Sequence, residues 1–317
     1  MNISAIVPVW NGRDLVARLL ATLRAQTRPP AEILAIDIGS TDGAPALAAS
    51  LGARVISMGR NTGFAPAVNR GIREAAHPLL AILNSDVELA PDYLEKLAAA
   101  DAPFATGRIS APSGLLDGAF DLTCRGGTTW RAGFGSPDGP PFDQPRAITS
   151  PPWTAVLYRA EVFQQLGLLD EGFESYLEDA EFGLRCAAVG LEGRYVPEAR
   201  ATHLGSASLG RWHPDTVRRI ARNQVLLAAR HGLTRHLWPV LVAQSLWGAV
   251  ALRQGHGLAW AHGKLQGLRQ LSSVRERYQE SGPEVLEPNL KSNEEIIRAT
   301  ARDRYWSLYF LLTTGTK

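Results

Sequence analysis

Cysteine is scarce, with only Cys124 and Cys186 among 317 residues. That excludes a disulfide-stapled scaffold and a Cys-rich zinc module, and makes a reducing cytoplasm the expected compartment. No charge sign is in excess: 33 Lys and Arg against 31 Asp and Glu leave a formal net charge of +2. A generally basic nucleic-acid binder is not indicated, and an acidic or disordered chain is excluded. No apolar run has the roughly 20 unbroken residues of a spanning helix. The longest, Leu237 to Leu252, is interrupted by Pro239, Gln244 and Gly248 and stops at Arg253. The opening MNISAIVPVW has neither a basic n-region nor a small-residue cleavage site, so it does not read as a secretory signal. Two nucleotide fingerprints are missing as well. The turn after the first apolar run is Val9-Trp10-Asn11-Gly12-Arg13 instead of G-x-G-x-x-G, which disfavours a dinucleotide-dependent dehydrogenase, and there is no P-loop. The lack of a Gly-rich phosphate loop near the N-terminus also speaks against a nucleotidyltransferase. The phosphates of any nucleotide must then be neutralised otherwise, and a carboxylate-held Mg2+ or Mn2+ is the candidate.

What is present is an alternation of strands and helices. Hydrophobic residues make up 45% of the chain, ample for a large core, and 30 Gly with 20 Pro predict many turns. Ile3 to Val9 is a β-branched apolar run, as expected of a strand buried on both faces. Leu15, Leu19, Leu20 and Leu23 recur at helical spacing, and Pro29-Pro30 ends that helix. Further strands are predicted at Glu32 to Ile38, Arg54 to Met58 and Leu79 to Leu83, with helices at Pro45 to Leu51 and Phe64 to Ala76. This order predicts an α/β fold with a mostly parallel sheet flanked by helices. Ligands of such sheets bind beyond the carboxyl ends of the strands. The residues there are Trp10 and Asn11, Asp37 to Gly43, Asn61-Thr62-Gly63, and Asn84-Ser85-Asp86.

These loops carry a family resemblance. Ile6-Val7-Pro8-Val9-Trp10-Asn11, the Asp37 to Gly43 turn, Asn61-Thr62-Gly63-Phe64-Ala65 with Asn69-Arg70-Gly71-Ile72, and Leu83-Asn84-Ser85-Asp86-Val87 resemble the GT-A glycosyltransferases of family 2. Phe173 to Arg185 resembles the family's E-D-x-D-x-x-x-R segment, and Val196-Pro197-Glu198-Ala199 with His203 follows in the right order. The likeness runs from about Ile3 to about Gly232. It is closest in flavour to the rhamnosyltransferase-like branch, which builds bacterial cell-surface polysaccharide. Ile38 departs from the Asn or Asp common in relatives, and Glu181 stands where they often carry a second Asp.

The resemblance implies a Rossmann-like nucleotide-diphospho-sugar transferase: inverting transfer of a sugar, with rhamnose a guess, from a dTDP- or UDP-sugar to a glycan or lipid-linked glycan hydroxyl. Asp179 is the expected general base, and Glu178 the group that orients its loop or an acceptor hydroxyl. A helix beginning near Tyr176-Leu177 would put both in its first turn, where the dipole favours the carboxylate form. Asp86, in the position of the family's D-x-D motif, and His203 are the expected ligands of the divalent cation. Pro8, Asn11, Asp37, Gly63 and Asn69, with Asn84 and Ser85, are expected to bind donor and nucleotide. Arg185 is expected to pair with a carboxylate one or two turns earlier, and Asp42 to cap the following helix.

Asp117 to Pro152 is Gly-, Pro- and Asp-rich with little periodicity and reads as a lid or acceptor-side excursion. Trp153 and Thr154, opening the strand from Ala155, are candidate acceptor contacts, Trp153 as a sugar-stacking platform. The expected division is a GT-A domain over 1–210, with a nucleotide half of about 1–100 and an acceptor half of about 101–210, and a helical region over 211–317. In that tail Arg211, His213, Arg218, Arg219, Arg222, Arg230, Arg235 and His236 crowd one segment, readable as docking on anionic lipid or as a salt-bridged dimer contact. Trp238, Trp247 and Trp260 suit either a membrane interface or a packed helix. Lys264, Arg269, Arg275 and Arg277 extend the basic character before Glu276, Glu280, Glu284 and Glu287 reverse it, and Trp306 to Leu312 is aromatic and apolar. A catalytic transferase and a non-catalytic GT-A-like scaffold that binds nucleotide or glycan are the two functional classes. Asp37, Asp86, Asp179 and His203 occurring together favour the enzyme. A cytoplasmic enzyme, peripheral at the inner membrane face, is the expected setting.

Overall fold

The structure is a computed structural model that describes residues 1–205, 212–271 and 284–315. Arg211, Arg275, Glu276, Arg277 and Glu280 lie outside the described residues. The chain forms two compact units, taken in turn.

The first unit is built on one sheet. Strands β1 (Ile3–Val9), β2 (Glu32–Asp37), β3 (Arg54–Ser57) and β4 (Leu79–Leu83) fall where the apolar runs predict them, give or take a residue. They alternate with helices α1 (Arg13–Arg24), α2 (Ala44–Ser50) and α3 (Phe64–Glu74). All seven residues of β1 and all five of β4 are buried, as a strand covered on both faces requires. After β4 come β5 (Val87–Leu89), α4 (Tyr93–Ala99), β6 (Phe104–Ser110), β7 (Leu116–Gly118), β10 (Arg146–Ile148), β11 (Ala155–Arg159), α5 (Ala160–Leu166) and β12 (Gly193–His203). The strand order is β10-β12-β6-β11-β4-β1-β2-β3, with β5 beside β12 and β7 beside β6. β1 to β4 pair in parallel, whereas β11 runs antiparallel between β4 and β6. The core lies between sheet and helices, with Leu19, Leu20, Leu23, Leu83, Tyr93 and Leu94 at its centre.

The second unit gathers residues 121–132, 175–190 and the C-terminal helices. It holds a hairpin of β8 (Asp121–Thr123) and β9 (Thr129–Arg131), then α6 (Glu178–Ala188), α7 (Pro214–Arg230), α8 (Leu237–Arg253), α9 (Gly257–Arg269), α10 (Glu287–Thr300) and α11 (Arg304–Thr314). A single cut at residue 210 therefore does not describe the packing. The hairpin packs on α6 and α10. Arg125 ion-pairs with Glu294 at 2.6 Å, and Glu181 meets Arg230 at 3.0 Å. Those contacts bind two internal stretches to the tail. The 117–152 segment is likewise not one loop, since it contains the end of β7 and all of β8, β9 and β10.

The tail's cations are mostly used inside the unit. Arg235 and His236 both meet Glu287, at 2.8 and 2.9 Å. Arg218 meets Asp215 at 3.2 Å and Gln266 at 2.8 Å, and Arg222 is buried beside Asn223. Among the described residues these cations are held within the unit by ion pairs and hydrogen bonds. Helix α8 buries Val242, Ala243, Gly248 and Ala251 and exposes Leu237, Trp238 and Leu241. Trp306, Tyr309 and Phe310 of α11 are buried, making that helix a cover for its own unit. Among the described residues no helix is long and apolar enough to cross a membrane.

Candidate active site

In the first unit the carboxyl ends of β1, β2 and β4 deliver the predicted loops to one edge of the sheet. Asp37 closes β2 and is buried, its Oδ1 accepting from Ser40 N at 2.9 Å. Asn11, in a left-handed conformation at φ 60°, accepts from Thr41 N at 2.8 Å through Oδ1, while its own N–H donates to Ser40 Oγ at 2.9 Å. These bonds tie the β1 and β2 loops together and fix the height of both side chains. Asp42 Oδ1 accepts from Ala44 N at 3.0 Å, but the N-cap of α2 is Gly43 and carries no side-chain cap, so Asp42 ties the turn one residue ahead of the cap instead of capping the helix. Asn84, Ser85 and Asp86 follow β4 with partly exposed side chains.

His203 ends β12, and its ring joins two carboxylates. Nε2 lies 3.2 Å from Asp86 Oδ1 and Nδ1 lies 3.0 Å from Asp117 Oδ2. Burial would lower the imidazole pKa, but the bonds to Asp117 and Asp86 outweigh it and raise it to about 9. Among the described residues no group of three or more His, Cys, Asp and Glu is arranged to hold a metal ion. The geometry explains this. Only Asp86 and Nε2 share a side of the ring, and Asp117 occupies the opposite nitrogen. That is the donor set of an open two-ligand site with an outer carboxylate fixing the His tautomer, so a divalent cation completed by substrate oxygens fits the residues present.

Several expected contacts have other work. Asn69 is 1% exposed, and both ends of its amide are engaged: Nδ2 donates to Leu169 O at 2.9 Å and Glu171 Oε1 at 3.0 Å, and Oδ1 accepts from Leu169 N at 3.0 Å. It anchors a loop and is not open to a nucleotide. Gly63 is buried at φ 93°, and a Cβ there would lie 2.7 Å from Glu174 O. Glycine is required by that approach and leaves no ligand-facing side chain. Pro8 is buried in β1 opposite Ile36, beyond Ile6, the last residue of β1 paired with β4, so its missing N–H costs no ladder bond on that side. Trp153 is 2% exposed and packs, tilted, on Tyr158 and, edge-on, on Phe163, at centroid distances of 5.2 and 6.2 Å. Thr154 is buried, its carbonyl accepting from Asn84 N at 2.9 Å. Both belong to the core, and neither offers a platform to an acceptor sugar.

In the second unit Glu178 and Asp179 open α6, as the sequence predicts. The approach is strained: Tyr176 and Leu177 both have left-handed φ, 73° and 64°. Such conformations cost about 1–3 kcal/mol each and cluster at functional sites. Asn223 of α7 holds the strained turn, donating to Ser175 O at 3.0 Å and Tyr176 O at 2.6 Å. Asp179 Oδ1 accepts from Ala180 N at 2.8 Å, and its Oδ2 faces Arg131 Nη2 at 3.6 Å. Burial, then the charge of Asp121, raise the Asp179 pKa to about 6, with Arg131 opposing. Glu178 is pushed well above the ordinary range by burial and by Asp179, and its Oε2 is buried with no hydrogen-bond partner. A carboxylate titrating near neutrality beside a second, unsatisfied carboxyl suits proton acceptance from a hydroxyl.

Three residues here escaped sequence reasoning: Asp117, Asp121 and Arg131. All lie in the segment read as a lid. The only signal was the short alternation of Asp121-Leu122-Thr123 and Thr129-Trp130-Arg131 around Gly126-Gly127, which marks a hairpin. Glu181 has no exposure and pairs with Arg185 at 2.9 Å, the contact anticipated for Arg185.

Comparison with known proteins adds a family. Residues 4–103 match the model of Glycosyl transferase family 2. The N-acetylglucosaminyl-diphospho-decaprenol L-rhamnosyltransferase of Mycobacterium tuberculosis is 28% identical over 274 residues, covering 74% of this chain and 86% of the relative. The O-antigen biosynthesis protein RfbC of Myxococcus xanthus is 31% identical over 65% of this chain, which spans only 18% of RfbC. Among solved structures, GalNAc-T7 with UDP, GalNAc and Mn2+ superposes with a TM-score of 0.60 at 16% identity, over 86% of this chain and 57% of that one. The mannosyltransferase PcManGT from Pyrobaculum calidifontis, with GDP-Man and Mn2+, gives 0.50 at 17% identity, over 99% and 79%. At those identities the likeness establishes the GT-A-like fold.

Proposed function

We propose that the chain is a family 2 glycosyltransferase that transfers a sugar with inversion from a nucleotide-diphosphate donor, rhamnose from a dTDP- or UDP-sugar, to a hydroxyl of a saccharide on a lipid diphosphate. The observation that carries the reading is the convergence of Asp86 and His203 within 3.2 Å from positions far apart in the chain, at the D-x-D position after β4. The relative that acts on a decaprenol-linked acceptor supports the donor and acceptor classes.

Asp86 Oδ1 and His203 Nε2 would hold the divalent cation, which when bound would neutralise charge on the departing diphosphate. Asp117 keeps the His203 ring oriented through Nδ1. Asp37 and Asn11 receive the nucleotide: Asp37 retains acceptor capacity for a ribose hydroxyl or imide N–H, and Asn84 and Ser85 face the donor. Asp179 takes the proton from the acceptor hydroxyl as the oxygen attacks the anomeric carbon. Glu178 Oε2, buried and unsatisfied, accepts from a neighbouring acceptor hydroxyl. The nucleotide half (about 1–100) carries the donor residues, and the acceptor half (about 101–210) carries Asp179. We place the enzyme on the cytoplasmic side, with Leu237, Trp238 and Leu241 exposed on α8 as the membrane or dimer contact.

The test is a thermal-shift panel of UDP-, dTDP- and GDP-sugars with and without Mn2+, followed by transfer assays of the Asp179→Asn variant. Donor-specific, Mn2+-dependent stabilisation is expected, together with a loss of transfer of about 10²–10⁴-fold in the variant. Wild-type turnover by Asp179→Asn would remove it as the base.

A further inference from the structure

Strands β8 and β9 place Asp121 and Arg131 directly opposite each other in register. Arg131 forks onto Asp121, with Nε 3.2 Å from Oδ1 and Nη2 3.4 Å from Oδ2. The same Nη2 stands 3.6 Å from Asp179 Oδ2. Asp121 is 5% exposed, and Glu178 beside it has a buried, unsatisfied Oε2. Among the described residues of this unit, the charged and titratable groups facing Asp179 are Glu178 on its own helix, Asp121 from β8 and Arg131 from β9: three carboxyls around one guanidinium.

Resting on Asp179 as the base, we infer that Arg131 is a positioning residue that holds Asp179 in place and tunes its proton uptake, with Asp121 as the brace that aims Arg131. The physical case rests on opposed demands. A base buried among carboxyls keeps its proton and is useless, while one in a close, bidentate pair with Arg is too acidic to take one. A guanidinium whose fork is spent on Asp121 and whose edge meets Asp179 at 3.6 Å gives an intermediate attraction. The hairpin register makes the distance reproducible, because the two partners cannot slide without breaking the ladder. Removing Arg131 should therefore raise the Asp179 midpoint. Removing the charge of Asp121 should lower it, by deleting a repulsive neighbour and freeing Arg131 to close on Asp179.

The experiment needs no substrate. Carboxyl ¹³C resonances of the full chain are followed over pH 4.5–9, with the Asp179 signal assigned by its loss in Asp179→Asn. In Arg131→Gln the Asp179 midpoint is expected to rise by about one pH unit, and in Asp121→Asn to fall by a similar amount. Arg131→Lys should restore most of the wild-type value. If Arg131→Gln does not fold, the opposite shift in Asp121→Asn and the Lys variant still decide. A midpoint that stays put in folded Arg131→Gln or in Asp121→Asn, or midpoints that move in the same direction in those two variants, overturn the inference, as does an Arg131→Lys midpoint far from wild type. Transfer by Asp179→Asn judges the base assignment separately: an active Asp179→Asn variant with opposed midpoints would defeat the base reading and leave the tuning pair standing.

Discussion

Glu181 offers the sharpest test of how α6 is fixed. Its side chain has no exposure, and the guanidiniums it meets, Arg185 at 2.9 Å and Arg230 at 3.0 Å, are 6% and 2% exposed. His231 Nε2 lies 3.3 Å from the same carboxylate. Glu181→Gln keeps the volume and withdraws the charge the cations share. Losing one member of a buried ionic network costs about 3–5 kcal/mol, a large part of an ordinary stability of about 5–15 kcal/mol. At roughly 2–4 °C per kcal/mol the melting temperature should drop by roughly 6–20 °C. Arg18→Ala, which breaks an exposed pair with Glu88, is the control and should cost less than about 1 kcal/mol. The pH dependence gives a second check. Burial alone would raise the Glu181 pKa, but Arg185 and His231 hold it below the ordinary value. A carboxyl depressed on folding stabilises above its unfolded pKa and loses that contribution as pH falls through its folded one. Differential scanning calorimetry of both proteins from pH 8 to pH 3 should therefore show the widest gap near neutrality and a closing gap in acid. A variant within about 2 °C of wild type at pH 7, or a gap that widens in acid, would refute the reasoning.

Other outcomes follow from the same structure. Asp86→Asn should abolish the Mn2+-dependent part of donor binding by calorimetry while leaving metal-free binding in place; unchanged Mn2+ dependence removes Asp86 as a ligand. Gly107→Ala would put a Cβ 2.3 Å from Ala199 O and 2.5 Å from Tyr93 Cε2. Because backbone must shift, a loss of about 1–3 kcal/mol is expected in denaturant unfolding. Lys264 is pushed down to about 7 by burial and donates to Gln224 and Gln244 Oε1 at 2.8 and 2.6 Å. The unfolded state binds the extra proton between pH 7 and 10.5, so stability should rise with pH across that window in wild type. Lys264→Met should lose that rise, as read by urea midpoints.

The fold was legible where burial is two-sided and runs are long. Ile3 to Val9 and Leu79 to Leu83 are continuous apolar stretches because each has neighbours on both edges and cover on both faces. The same logic hides the second half of the sheet. β5, β7 and β10 are three residues each, too short for any period to show. The antiparallel insertion of β11 between β4 and β6 depends on partners far away in sequence.

The site divided along another line. Of the carboxylates proposed for the site, Asp179 opens a helix, Asp37 closes a strand and Asp86 lies in the turn between two strands, and such places are legible because the regular elements around them are. Asn69 and Trp153 misled for one shared reason. A buried amide saturated by a loop and a tryptophan packed on Tyr158 leave the same trace in sequence as ligand contacts: a polar or aromatic residue beside a strand end. Only burial separates them, and burial is a property of the whole fold. Asp117, Asp121 and Arg131 were hidden for the converse reason. They touch His203 and Asp179, directly or through Arg131, and those contacts arise from pairings such as Asp121 opposite Arg131. A motif records the residues that meet substrate. The residues proposed to set their tautomer and proton affinity are recorded only in the register of the strands that carry them.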